Sequence, residues 1–117
     1  MSGYNYKSLP GVTAAAAITR FRVVYISGAN QVTTATNATD VAGVAQEAAA
    51  TGAPLDVAER GICIAEAGAA ITAGSALKVD SSGRVITSSA GTDVRIGKSL
   101  EAASAAGDKI QIMISRN

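Results

Sequence analysis

The sequence predicts an all-β fold: a small antiparallel β-sandwich or β-barrel, preceded by an extended N-terminal arm. Three observations predict it. Short runs of Val, Ile and Thr recur at close spacing, with Gly, Asn, Asp or Ser between them. No stretch shows a sustained 3.6-residue apolar stripe, so long helices are not expected. The apolar content is built from small residues: 25 alanines equal the Ile, Val, Leu and Phe residues combined, with no Trp, one Phe and three Tyr. A buried Ile or Val contributes roughly 1.5–3 kcal/mol, an Ala far less. A chain of 117 residues with such a core folds as one domain with little margin. Burying further surface against a partner chain is the direct remedy.

Residues 1–19 read as the arm and residues 20–117 as the β-rich domain. In the arm, Tyr4, Tyr6, Lys7, Leu9, Pro10 and Gly11 precede the run Ala14 to Ala17. Pro-Gly breaks regular structure, and no cap or apolar stripe supports a helix there. The alternative for this segment is a tail without fixed structure. Arg20–Ile26 reads as a strand, followed by a turn at Ser27-Gly28-Ala29-Asn30. Val32–Thr34 and Asp40–Gln46 follow as short runs. Pro54–Glu59 alternates Leu55 and Val57 against Asp56 and Ala58. Gly61 is expected to separate it from Ile62–Glu66. In Ala76–Thr87, Ser81-Ser82-Gly83 predicts a three-residue hairpin loop that sets Val79 opposite Val85 and Asp80 opposite Arg84. In the last strand, Lys109–Ser115, Ile110, Ile112 and Ile114 share one face and Lys109, Gln111 and Met113 the other.

One internal echo is present. Gly43-Val44-Ala45-Gln46-Glu47-Ala48-Ala49, then Gly52, Leu55 and Val57, matches Gly97-Lys98-Ser99-Leu100-Glu101-Ala102-Ala103, then Gly107, Ile110 and Ile112. Each unit reads as strand, Glu-Ala-Ala connector, Gly turn, strand, and each connector could hold one helical turn. The competing reading is chance similarity between Ala-rich segments.

The sequence offers no catalytic set. It contains no His, which removes the commonest general base and the commonest zinc ligand. Cys63 sits between Ile62 and Ile64 and reads as a small buried apolar residue rather than a nucleophile. Most of the nine acids lie beside turns (Asp40, Asp80, Asp93, Asp108) or on exposed strand faces (Asp56, Glu59), and all nine read as solvated. No phosphate-binding, dinucleotide or calcium-loop motif occurs, so no cofactor and no metal is expected. Ten basic residues against nine acidic ones give a net charge of +1, and the basic residues never cluster; a nucleic-acid partner is not expected. No run of about 18 apolar residues predicts a membrane span. The N-terminus lacks the pattern of a secretory signal, and a lone Cys allows no internal disulfide.

From Val41 to Ile114 the chain resembles the capsid cement, or head decoration, proteins of tailed phages. The residues that carry the resemblance are Val41-Ala42-Gly43-Val44-Ala45, Gly52 with Leu55-Asp56-Val57, Arg60-Gly61-Ile62, Ala73-Gly74, Val79-Asp80-Ser81-Ser82-Gly83-Arg84-Val85, Ile96-Gly97-Lys98-Ser99-Leu100-Glu101-Ala102, and Gly107 with Ile110-Gln111-Ile112. Ser75 departs from the acidic residue expected after Gly74. The resemblance implies a β-tulip-like domain on the outer capsid surface of a virion. It implies a homotrimer that bridges subunits of the major capsid protein, often through a terminal arm, without catalysis. Candidate contacts to capsid or neighbouring subunit are Tyr4, Tyr6, Lys7, Leu9 and Pro10 in the arm, and Met113, whose strand face is otherwise polar. For Met113 the other reading is burial under a connector. The alternative function is a head-fibre base or a carbohydrate- or host-surface-binding β-module.

Overall fold

The computed structural model describes residues 5–35, 41–88 and 95–114. Ten strands run through them: β1 (Asn5–Ser8), β2 (Thr13–Ala14), β3 (Val23–Gly28), β4 (Gln31–Thr34), β5 (Gly43–Ala45), β6 (Val57–Glu66), β7 (Ala76–Val79), β8 (Val85–Thr87), β9 (Arg95–Ser99) and β10 (Lys109–Ile114). No helix occurs among the described residues. The strands form one sheet in the order β2-β4-β3-β5-β6-β10-β9-β7-β8, with β1 added to β6. Every strand pair is antiparallel except β2 with β4.

The sheet curls back on itself twice. In the first half, β2 pairs with β4, and Thr13 also bridges Pro54 just before β6. In the second half, Ala67 bridges Val85 of β8 in parallel, while Glu66 faces Lys109 of β10. Each half is thus a small barrel, and β6 belongs to both. Its ten residues run through Gly61, whose φ of 103° lets the strand bend without ending. The two runs that Gly61 was expected to separate are therefore one strand.

The internal echo is a structural repeat. Ile18 and Ala49 exchange backbone hydrogen bonds of 2.8 and 3.0 Å, as Ile71 and Ala103 do at 2.9 Å. The Ala14 N–H donates to the Ala53 carbonyl, and the Ala67 N–H to the Asp108 carbonyl. The Glu47 carboxylate accepts from the Asp56 N–H at 3.2 Å; the Glu101 carboxylate accepts from the Gln111 N–H at 2.7 Å. Phe21 (φ 68°) matches Gly74 (φ 88°), and Asn30 (φ 57°) matches Gly83 (φ 83°). The connectors make these turns without a helical turn.

Equivalent positions fill both barrels. Ala14, Ile18, Val24, Val32, Leu55 and Val57 form the first interior. Their counterparts Ala67, Ile71, Leu77, Val85, Ile110 and Ile112 lie in the second. The second cluster also takes in Val23, Val41, Val44 and Ala58 from the outer face of the first barrel, so one core joins the halves. The last strand alternates as expected, with Ile110, Ile112 and Ile114 buried. The hairpin also forms as expected: Val79 pairs with Val85, and Asp80 Oδ1 accepts from the Ser82 and Arg84 N–H groups at 2.7 and 2.9 Å.

Two side chains seal the join. Gln46 lies against β6 where β1 has ended. Its amide donates to the Ile64 carbonyl at 2.9 Å and accepts from the Ile64 N–H at 3.3 Å, replacing a missing strand residue. Glu66 is 8% exposed, not solvated as expected of every acid. It accepts from Arg22 Nε at 3.2 Å and lies 3.9 Å from Arg84 Nη1, while Arg22 also donates to the Ser82 carbonyl at 3.0 Å. A carboxylate this buried needs such cations, because burial alone disfavours its charge.

Candidate interaction surface

The expected extended arm is built into the fold wherever it is described. β1 pairs with β6, setting Asn5 opposite Ile62 and Lys7 opposite Arg60. Val12, Ala14 and Ile18 are core residues. The physical reason is that β6 has a second edge along residues 58–62 that needs a partner. Unpaired backbone groups there would be costly.

Of the candidate contact residues, Tyr4 lies outside the described residues. Tyr6 is half-buried against the shared core, and its hydroxyl donates to the Asp56 carboxylate. Burial, then this hydrogen bond and the nearby negative charges of Asp56 and Glu47, pushes the Tyr6 hydroxyl up to about 12. Lys7 is exposed and sits 4.0 Å from Glu59. Leu9 packs on the first barrel's interior, and Pro10 is exposed beside it. Met113 lies on β10 opposite Ile62 of β6 and is 39% exposed, not covered by a connector.

Leu9 and Pro10 line a groove that the repeat explains. In the second half, β6 and β10 pair without interruption from Glu66–Lys109 to Gly61–Ile114. In the first half the matching ladder breaks. The Leu9 N–H donates to the Val57 carbonyl at 2.8 Å, and pairing resumes at Ala14 with Ala53. Between them Pro10 lacks an N–H, and Gly11, at φ 76°, turns the chain outward. The gap is an open groove of about 500 Å³ with Leu9, Pro10, Val12 and Leu55 as apolar walls. Glu47 and Asp56 add carboxylates, with Ser8 donating to Asp56 at 2.7 Å. Sequence reasoning missed Glu47, Val12 and Leu55 as lining residues; the Pro10-Gly11 pair was the available signal.

Among the described residues, no group of three or more His, Cys, Asp or Glu could hold a metal ion. No helix there is long and apolar enough to cross a membrane. Cys63 is fully buried, and burial pushes its thiol up to about 12, so it is a packing residue. None of the described aromatic residues, Tyr6, Phe21 and Tyr25, is fully exposed.

Residues 12–114 match the family model described as phage cement protein. The chain belongs to the phage cement protein family. Its fold is also similar to a crystal structure, the head fibre gp8.5 N base of bacteriophage phi29. That likeness has a TM-score of 0.74 at 20% sequence identity and covers 91% of this chain and 92% of that chain. No curated protein matches it. As a cement protein the chain is a capsid-associated structural protein.

Proposed function

We propose that this cement protein binds the outer surface of a phage capsid and stabilises it by bridging major capsid protein subunits, without catalysis. The family match over residues 12–114 carries the reading. Two candidate contact surfaces, for capsid or for a neighbouring copy, support it. One is the groove at Leu9 and Pro10, flanked by Tyr6 and Lys7; the other is the face around Met113. A homotrimer on the capsid lattice belongs to the same proposal. Several weak contacts held together by symmetry would add to tight attachment. The experiment is co-sedimentation with expanded capsids lacking the protein. Saturable binding at a fixed ratio to capsid subunits is expected, and absence of saturable binding overturns the reading.

A second reading is a head-fibre base, favoured by the fold likeness to the phi29 protein. A fibre base would carry a further part of the fibre away from the capsid. Capsid-bound density limited to the two barrels separates the cement role from this one. A carbohydrate-binding module would need open aromatic ring faces, and the aromatics among the described residues, Tyr6, Phe21 and Tyr25, are partly buried.

A further inference from the structure

The repeat shows what should sit on each open face of the molecule. The first barrel docks on the second through a row across three strands: Val23 opposite Val44, and Val44 opposite Ala58. All three are fully buried and belong to the core shared with the second half. The matching row in the second barrel is Ala76 opposite Lys98, and Lys98 opposite Met113. It has no third barrel to cover it: Lys98 is exposed and Met113 is 39% exposed.

The complementary surface shows the same asymmetry. The second barrel meets the first through its hairpin tip. The Gly83 carbonyl accepts from the Val23 N–H at 2.7 Å, and Val79, 1% exposed, lies in the shared core. The equivalent tip of the first barrel carries Ile26 in place of Val79 and Asn30 in place of Gly83. There Ile26 is 60% exposed, and residues 27–31 are exposed with it. Among the described residues, two of the three large exposed apolar ones, Ile26 and Met113, thus fall on the two halves of one unused contact.

We propose that a second copy of this chain fills that contact head to tail: the Ile26 hairpin tip of one copy packs on the Ala76–Lys98–Met113 row of the next, as the second barrel's tip packs on the first. The two surfaces differ, so the contact is heterologous and propagates into a closed ring or an open chain rather than an isologous dimer. The proposal names the self-contact and does not depend on capsid binding. Both anchor residues are solvent-facing, so charged substitutions there leave the barrels intact.

The test is sedimentation velocity on the full chain with Ile26→Arg, Met113→Arg and their mixture, with circular dichroism as the folding check. The wild type should self-associate at submillimolar concentration. Each single variant should stay folded and lose association by at least about tenfold. The mixture should form a dimer and no larger species, because the Met113→Arg copy keeps a good tip and the Ile26→Arg copy a good row. A wild type that stays monomeric, variants that associate like the wild type, or a mixture that stays monomeric would each overturn the proposal.

Discussion

Replacing Gln46 by Leu tests the join between the two barrels with almost no change in side-chain size. Gln46 is 9% exposed and is the partner of both the Ile64 N–H and the Ile64 carbonyl. Both groups lie on a strand that is buried on each side, so neither gains water when the amide is removed. A buried backbone group left without a partner costs about 1–3 kcal/mol, so two cost roughly 2–6 kcal/mol. The added apolar contact of Leu returns on the order of 1 kcal/mol. A net loss of about 3 kcal/mol is a large share of the 5–15 kcal/mol typical of a domain. At roughly 4 °C per kcal/mol it lowers the midpoint by about 12 °C. Thermal melting with native-state hydrogen exchange checks this, and the Ile64 amide should lose its protection. A Gln46→Leu variant within about 0.5 kcal/mol of wild type, with Ile64 still protected, would refute the sealing role. Gln46→Glu should sit between the two at neutral pH and recover as the pH falls, because the protonated acid regains a donor.

Further outcomes follow from individual residues. Gly43→Ala should unfold the protein or cost at least about 3 kcal/mol, because the new Cβ would land on the Ala58 backbone carbonyl. Gly74→Ala meets no neighbour and should cost only about 1 kcal/mol for its left-handed backbone, as read by denaturant melts. The Cys63 thiol should resist a disulfide reagent in the native state and react on unfolding, since it is buried and pushed up to about 12. The Tyr6 hydroxyl is held above its ordinary value near 10, so its contribution is complete below that value and is lost as the pH rises toward about 12. Tyr6→Phe should flatten that alkaline loss in pH-dependent melts. Asp108 runs the other way. Hydrogen bonds from the Ser104 N–H and hydroxyl, with one from Ala105, hold its carboxyl low, so its contribution is present at neutral pH and lost on acidification.

What was legible in the sequence was local. The 76–87 hairpin could be read because its loop residues dictate the turn and its register. β10 could be read because three Ile alternate with polar residues. The echo gave the right equivalences, Glu47 with Glu101 and Gly52 with Gly107, because both connectors must make the same turn. What escaped reading depends on contacts far apart in the chain. Asn5–Ser8 has no β-branched residue, and it is a strand only because β6 needs an edge partner some fifty residues away. Tyr6 was read as a free arm contact because its partner, Asp56, is equally remote. Glu66 was read as solvated because its cations, Arg22 and Arg84, come from both halves. The groove at Pro10 becomes visible only when the unbroken β6–β10 ladder shows what is missing.

The central claim is a protein that coats a capsid from outside and links its subunits. Image reconstruction of expanded capsids mixed with the purified protein tests it most directly. The account predicts density for the two barrels on the outer surface at every equivalent lattice position, touching more than one capsid subunit. Density confined to a few isolated positions, or none on the outer surface, would contradict it.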